Sequence, residues 1–230
     1  MSASGTSFSD MTVWIIPVVV AVTMHEAAHG YVAKLCGDET ASRLGRVTLN
    51  PIKHIDPFGT IVLPLFFMLM SGGAFKFGYA KPVPVNFRAL RHPRLDTVAV
   101  AVAGPATNIL LAFLSLLAWR LLPHIPSSAL LWTARNLDYS VQINLVLAVL
   151  NMLPLPPLDG GRVAVAILPR PLSTMLASLE RSGVFILIGL IFLLPMIGAK
   201  FGHDWNIFYY LVNVPALWIF NALAHLAGVG

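Results

Sequence analysis

The chain is 230 residues long, 57% hydrophobic and only 11% charged, with a formal charge of +5; that composition excludes an ordinary soluble domain and points to one compact bundle in a lipid bilayer. Its lysines and arginines are scattered over short connections between apolar segments, the pattern of cations flanking membrane spans, so the bilayer is an expected partner and nucleic acid is not. Cys36 is the single cysteine, which rules out an internal disulfide and a cysteine-rich metal site.

The first span is expected from Met11 to Cys36, long enough to cross about 30 Å of hydrocarbon, with Lys34 snorkelling at its end. Met1 to Asp10 contains no Lys or Arg, so the charged start of a secretory signal is missing and the span is expected to stay attached. Within it, residues 23–31 read Thr-Met-His-Glu-Ala-Ala-His-Gly-Tyr. On a helix His25 and His29 project from one face about 6 Å apart, a bite that suits tetrahedral zinc, and Glu26 stands beside them as a candidate general base. With seven histidines and three glutamates in the chain, about 0.003 chance matches to His-Glu-x-x-His are expected. Burial strengthens the signal, since an ionised residue at mid-bilayer costs about 2.5–3.5 kcal/mol on insertion scales and is retained where it lines a functional cavity.

A polar connection, Gly37 to Asp56, carries Arg43, Arg46 and Lys53. Inside it Arg46-Val47-Thr48-Leu49 alternates like a short strand, ended by Asn50-Pro51. Phe58 to Phe75 is apolar but interrupted by Pro64 and closed by Ser71-Gly72-Gly73; it is barely long enough to span, and dipping and returning is the alternative. Lys76 to Arg94 is basic, and Pro82-Val83-Pro84-Val85-Asn86 cannot be helical, because each proline removes a donor and biases its predecessor to extended geometry. An extended edge segment paired with Val47–Leu49 is expected there.

Leu95 to Leu122 reads as a membrane helix whose Ala99, Ala101, Ala103, Gly104 and Ala106 permit close helix approach, with Pro105 as a possible kink. Asn108 needs a partner inside it: an interhelical hydrogen bond, or direct contact with substrate or a metal-held water. Leu137 to Leu153 is the next span and runs into residues 151–161, where Pro154, Pro156 and Pro157 break the helix. Broken backbone at membrane depth is tolerated where it is buried in protein or lines a wet cavity. Gly183–Lys200 and Trp205–Leu226 complete the set. The expected fold is an all-α membrane bundle of about six apolar segments, with a short re-entrant or extended β-like element and a proline-broken helix at the metal site. It forms a single domain over 1–230, with its core at 11–168 and peripheral C-terminal spans at 183–227.

A catalytic zinc takes three protein ligands and leaves one position open. With His25 and His29 supplying two, the third must be His, Asp or Glu. Of the remaining histidines (His54, His92, His124, His203 and His225) only His225 falls inside an apolar span. Asp159, held by a proline-broken turn and followed by glycine, is the better candidate, although Asp-Gly is also a common turn pair and a purely structural reading stays open. His54 is expected to pack its loop or to donate a hydrogen bond behind the site, with a role as transient ligand or gate as the other reading.

His25-Glu26-Ala27-Ala28-His29-Gly30, Gly45 to Pro51 with His54 and Asp56-Pro57, Lys81 to Asn86, Ala103-Gly104-Pro105 with Asn108, and Asn151 to Gly160 together resemble the site-2 protease family of intramembrane zinc metalloproteases. More narrowly they resemble its compact bacterial branch without PDZ or CBS domains. The resemblance implies one zinc per chain held by His25, His29 and Asp159, Glu26 as catalytic base, and Asn151 contacting substrate near the scissile bond. It implies hydrolysis of peptide bonds in or near transmembrane segments of protein substrates; a substrate helix must then unwind locally, and the extended segment Val83 to Phe87 is expected to hold the opened chain by strand addition. A metal-ion transporter or a catalytically silent scaffold of the same fold are the alternatives; Glu26 is superfluous for the first and expendable in the second. The cation distribution points the active site toward the cytoplasm, and the resemblance implies a bacterial plasma membrane. For His25, His29 and Asp159 then to meet, Phe58–Phe75 or Lys76–Arg94 must turn back without a net crossing.

Overall fold

The computed structural model describes residues 8–56, 62 and 81–229. Apart from Val62, the expected Phe58–Phe75 segment lies outside the described residues, as do Lys76 to Ala80. Helix α1, Phe8–Leu35, follows the first apolar run and contains Pro17. It closes around Gly37, whose φ of 105° favours glycine, while the Asp38 N–H reaches back to the Ala33 carbonyl at 2.9 Å. Asp38 then accepts from the Thr40 N–H two residues on at 2.9 Å, an Asx turn that leads into the short α2, Thr40–Arg43. A 3-10 turn at Pro51–His54 is capped by Asn50.

Helix α3, Pro93–Trp119, has proline in its first turn, where the missing N–H costs nothing, and Pro105 inside it. It is followed by α4, Ser127–Asn151, and, after the proline turn, by α5, Asp159–Ile167, and α6, Arg170–Ser178. Two composite helices end the chain. In the first, α7 (Gly183–Ile188) passes through a π turn at Gly189–Leu193 into α8 (Leu194–Lys200). In the second, a π turn at Tyr209–Asn213 leads into α9, Val214–Ala227.

Helices α1, α3 and α4 pack against one another, and small residues let them do so closely. Ala33 of α1 meets Val100 of α3 and Leu90. Ala112 and Leu116 of α3, Val141 and Leu145 of α4 and Ala216, Ala224 and Ala227 of α9 form the second cluster. Helix α3 runs antiparallel to α1, because Val100 lies beside His29 while Asn108 lies beside Ala21. At the bundle end where α1 finishes, the Arg91 N–H donates to the Cys36 carbonyl at 3.0 Å. The chain between these two residues therefore begins and ends on one side, as the convergence of His25, His29 and Asp159 demands.

Two expectations change. Among the described residues four helices are long and apolar enough to cross a membrane: Thr12–Leu35, Pro93–Trp119, Gly183–Lys200 and Tyr209–Ala227. Leu137–Leu153, expected as a span, lies mostly within α4, which is long enough but is diluted by Arg135, Asn136, Asp138, Gln142 and Asn144. Nor does any strand form among the described residues. Val47 and Val83 both approach α1 at Gly30, where an added methyl would come within 3.0 Å of Val83 and 3.1 Å of Val47, but no backbone ladder joins their segments. The Arg46 side chain takes the ladder's place, donating to the carbonyls of Lys81 at 2.8 Å and Pro82 at 3.3 Å.

Candidate metal centre

The helical repeat of α1 carries His25 and His29 to one face, where their rings meet edge-on with centroids 4.6 Å apart. Both are buried, and each is held from behind through Nδ1. His29 Nδ1 lies 2.7 Å from the Val100 carbonyl and His25 Nδ1 lies 2.5 Å from Asn108 Oδ1. A backbone carbonyl only accepts, so His29 carries its proton on Nδ1 and turns the Nε2 lone pair inward.

Asp159 opens α5 and is buried. Its Oδ2 lies 3.2 Å from His25 Nε2 and 3.3 Å from His29 Nε2, and the two Nε2 atoms are 3.0 Å apart. The same Oδ2 has no hydrogen-bond partner. With both imidazoles donating through Nδ1, three lone pairs face one another without a proton among them, an arrangement that asks for a cation. Donors about 2.0–2.1 Å from a tetrahedral zinc stand about 3.3 Å apart, so the observed separations fit that ion.

The turn that delivers Asp159 depends on tight backbone contact. A methyl on Gly160 would overlap the Met152 carbonyl, one on Gly161 the Pro156 backbone, and one on Gly183 the Pro156 carbonyl. Gly104 does the same for α3: an added Cβ would lie 2.5 Å from His29 Nε2 and 2.7 Å from His25 Nε2, against both rings.

Beside this cluster is a cavity of about 110 Å³ lined by His25, Glu26, His29, Pro82, Val83, Asn151, Pro157, Asp159 and Arg162. Glu26 accepts the Val83 N–H at 2.7 Å, which leaves its other carboxylate oxygen for chemistry. Asn151 donates to the Leu147 carbonyl of its own helix at 2.9 Å. Arg162, one turn beyond Asp159, sits over the Phe87 ring, 5.5 Å from its centroid.

A model of peptidase family M50 matches residues 13–127 and 125–196. The chain belongs to peptidase family M50. It is 42% identical over 186 residues, 79% of this chain and 80% of the relative, to “Putative zinc metalloprotease YwhC” of Bacillus subtilis. To “Putative zinc metalloprotease Rip2” of Mycobacterium tuberculosis H37Rv it is 30% identical over 184 residues, 80% of this chain and 67% of the relative. No solved structure matches it. Family membership and four apolar helices fit a multi-pass membrane metalloprotease of the M50 family.

All the residues singled out in sequence for chemistry, His25, Glu26, His29, Asn151 and Asp159, line this one cavity. His54 does not; it is buried in its loop with Nε2 2.9 Å from the Thr48 carbonyl. Three contributors escape sequence reasoning. The Val100 carbonyl is a backbone group with no signature, and Arg162 reads as a flanking cation. Asn144, fully enclosed at 1% exposure, had a signal of the same kind as Asn108, a lone amide in an apolar run.

Proposed function

We propose that the chain is an intramembrane zinc endopeptidase of the site-2 type, cutting peptide bonds in or near transmembrane segments of protein substrates. The observation that carries this reading is the meeting of three donor atoms, Nε2 of His25, Nε2 of His29 and Oδ2 of Asp159, beside the carboxylate of Glu26. One zinc held there would acidify a water molecule and polarise a peptide carbonyl. Glu26 takes the proton and returns it to the leaving amine. Its tie to the Val83 N–H fixes the carboxylate toward the cavity. Asn151 supplies its amide to the substrate backbone or the developing oxyanion.

The cavity of about 110 Å³ does not admit a helix, whose diameter with side chains is about 10–12 Å, and a helical substrate keeps its carbonyls in its own hydrogen bonds. A substrate helix must therefore unwind, and the opened strand is assigned to the extended segment Val83–Phe87, which meets the cavity at Val83. A transporter would need the histidines and the aspartate but has no use for a base held at the same cavity. The test is Glu26→Gln: it should keep one zinc per chain and lose about 10²- to 10⁴-fold in cleavage of a model transmembrane substrate. Undiminished cleavage would remove Glu26 from the mechanism.

The metal end of the bundle is assigned to the cytoplasmic face of a bacterial plasma membrane. Lys34, Arg43, Arg46, Lys53, Arg88, Arg91 and Arg94 flank that end of α1 and α3, while Met1 to Asp10 has no Lys or Arg. In intact cells with Cys36 replaced, cysteines at Ser4 and Ser127 should react with an impermeant reagent and those at Ser42 and Arg91 should not; the reverse pattern would invert the topology.

A further inference from the structure

His29 is oriented by a backbone carbonyl, which has only one way to bond. His25 is oriented by an amide, Asn108, which has two: rotated by half a turn, it would offer an N–H to His25 in place of its oxygen. A ring met by that N–H must accept on Nδ1, which leaves the proton on Nε2, pointing into the cluster where the metal belongs. The site therefore works only if something decides which end of Asn108 faces His25.

Two carbonyls make that decision. Asn144 Nδ2 donates to the Ser140 carbonyl at 2.8 Å, and since that carbonyl can only accept, Asn144 is fixed with Oδ1 toward α3. That oxygen accepts from Asn108 Nδ2 at 2.8 Å. The same Asn108 nitrogen reaches the Ala21 carbonyl at 3.3 Å. Both partners of Asn108 Nδ2 are acceptors, so its Oδ1 must face His25. Asn108 and Asn144 are 0% and 1% exposed, so no solvent is available to satisfy the wrong orientation.

We propose that Asn144, on α4 and out of contact with the metal ligands, is a positioning residue that sets the tautomer and direction of His25 through Asn108, and thereby the affinity for zinc. The inference rests on the proposed role of His25 as a ligand. It gives the polar residues that dilute α4 a function beyond joining helices: the relay runs from the Ser140 backbone across α3 to α1, so the three core helices must be in register before the site can take a metal.

The test uses equilibrium zinc affinity, measured by chelator competition on the purified full-length protein. Asn144→Leu removes the oxygen that orients Asn108 and should weaken zinc binding about 10- to 100-fold, the range for residues that orient metal ligands. Asn108→Asp should bind zinc about as well as the unaltered protein, because a carboxylate presents an acceptor to His25 whichever way it is turned and no longer depends on Asn144 for its orientation. The decisive measurement is the pair together: on the Asn108→Asp background, Asn144→Leu should change affinity by no more than about twofold, since no wrong orientation remains. A purely packing role for Asn144 predicts the same loss on both backgrounds, and that result overturns the relay. Should Asn144→Leu fail to fold, Asn144→Ala and the comparison of Asn108→Asp with Asn108→Leu carry the decision: equal zinc affinity in the last two overturns it. An unaltered protein that takes up no zinc defeats the ligand assignment itself, whereas zinc binding that ignores Asn144 defeats the relay alone.

Discussion

Helix α1 and the turn between α4 and α5 bring His25, His29 and Asp159 to one point by opposite means. In α1 the spacing of His25 and His29 is a local property, fixed by the helical repeat before any partner packs against it. In the turn, Asp159 is placed by backbone laid against backbone at Gly160, Gly161 and Gly183. The spacing of the helix pair is robust to changes in its surroundings, while the aspartate depends on three positions that tolerate no side chain. The difference teaches that a metal site can be half specified by secondary structure and half by close packing, and that the two halves should fail separately.

Gly160→Ala is the sharpest way to separate them, and the largest effect. A methyl there would overlap the Met152 carbonyl, so the turn must shift and Asp159 must retreat. Helical content should stay near that of the unaltered protein while bound zinc, read by elemental analysis, falls from one per chain to nearly none. Full zinc occupancy in this variant would mean that the turn adapts and is not the demanding half of the site.

Asn151 stands where the two regions join, as the last residue of α4 before the turn. Asn151→Ala leaves the three ligands in place and should retain zinc, but turnover of a transmembrane substrate should fall about 10²- to 10³-fold, as for loss of one oxyanion donor. Zinc loss in this variant would make Asn151 part of the turn's support instead.

The smallest effect concerns the α1 end of the comparison. Burial acts to raise the Asp38 carboxyl, but hydrogen bonds from Thr40 and from the Asn86 N–H outweigh it and hold the group below the ordinary carboxylate range; the Asn86 bond is 2.6 Å long. A depressed folded-state pKa contributes stability that is present above the unfolded value, about 3.9, and is lost as pH falls through the folded one. Asp38→Asn should therefore lower the melting temperature at neutral pH, by an amount corresponding to about 1 kcal/mol for a lost hydrogen bond, and the gap between variant and parent should close as pH drops below about 4. A gap independent of pH would show that Asp38 acts by shape and not by charge.

The sequence by itself determined the helix pair and its acid. His25, Glu26 and His29 follow from a spacing that any helix must honour, and the prolines at 154, 156 and 157 must break a helix wherever they fall. The compositional bias toward a membrane bundle was equally plain, because apolar content is a sum over residues and needs no fold. What only the tertiary structure decided is which groups meet. Asp159 could have been an ordinary turn residue until α5 packed against α3. The extended Pro82–Phe87 segment looked like a strand, yet its partner proved to be the Arg46 side chain and the Glu26 carboxylate, since alternation records faces and not neighbours. Leu137–Leu153 is apolar enough to read as a span by itself, but its helix begins at Ser127 and takes in Arg135 and Asn136, which the apolar run had left out. The orientation of His25 depends on carbonyls at residues 21 and 140, and a backbone carbonyl is the same in every residue, so its role is written in position and nowhere in the letters.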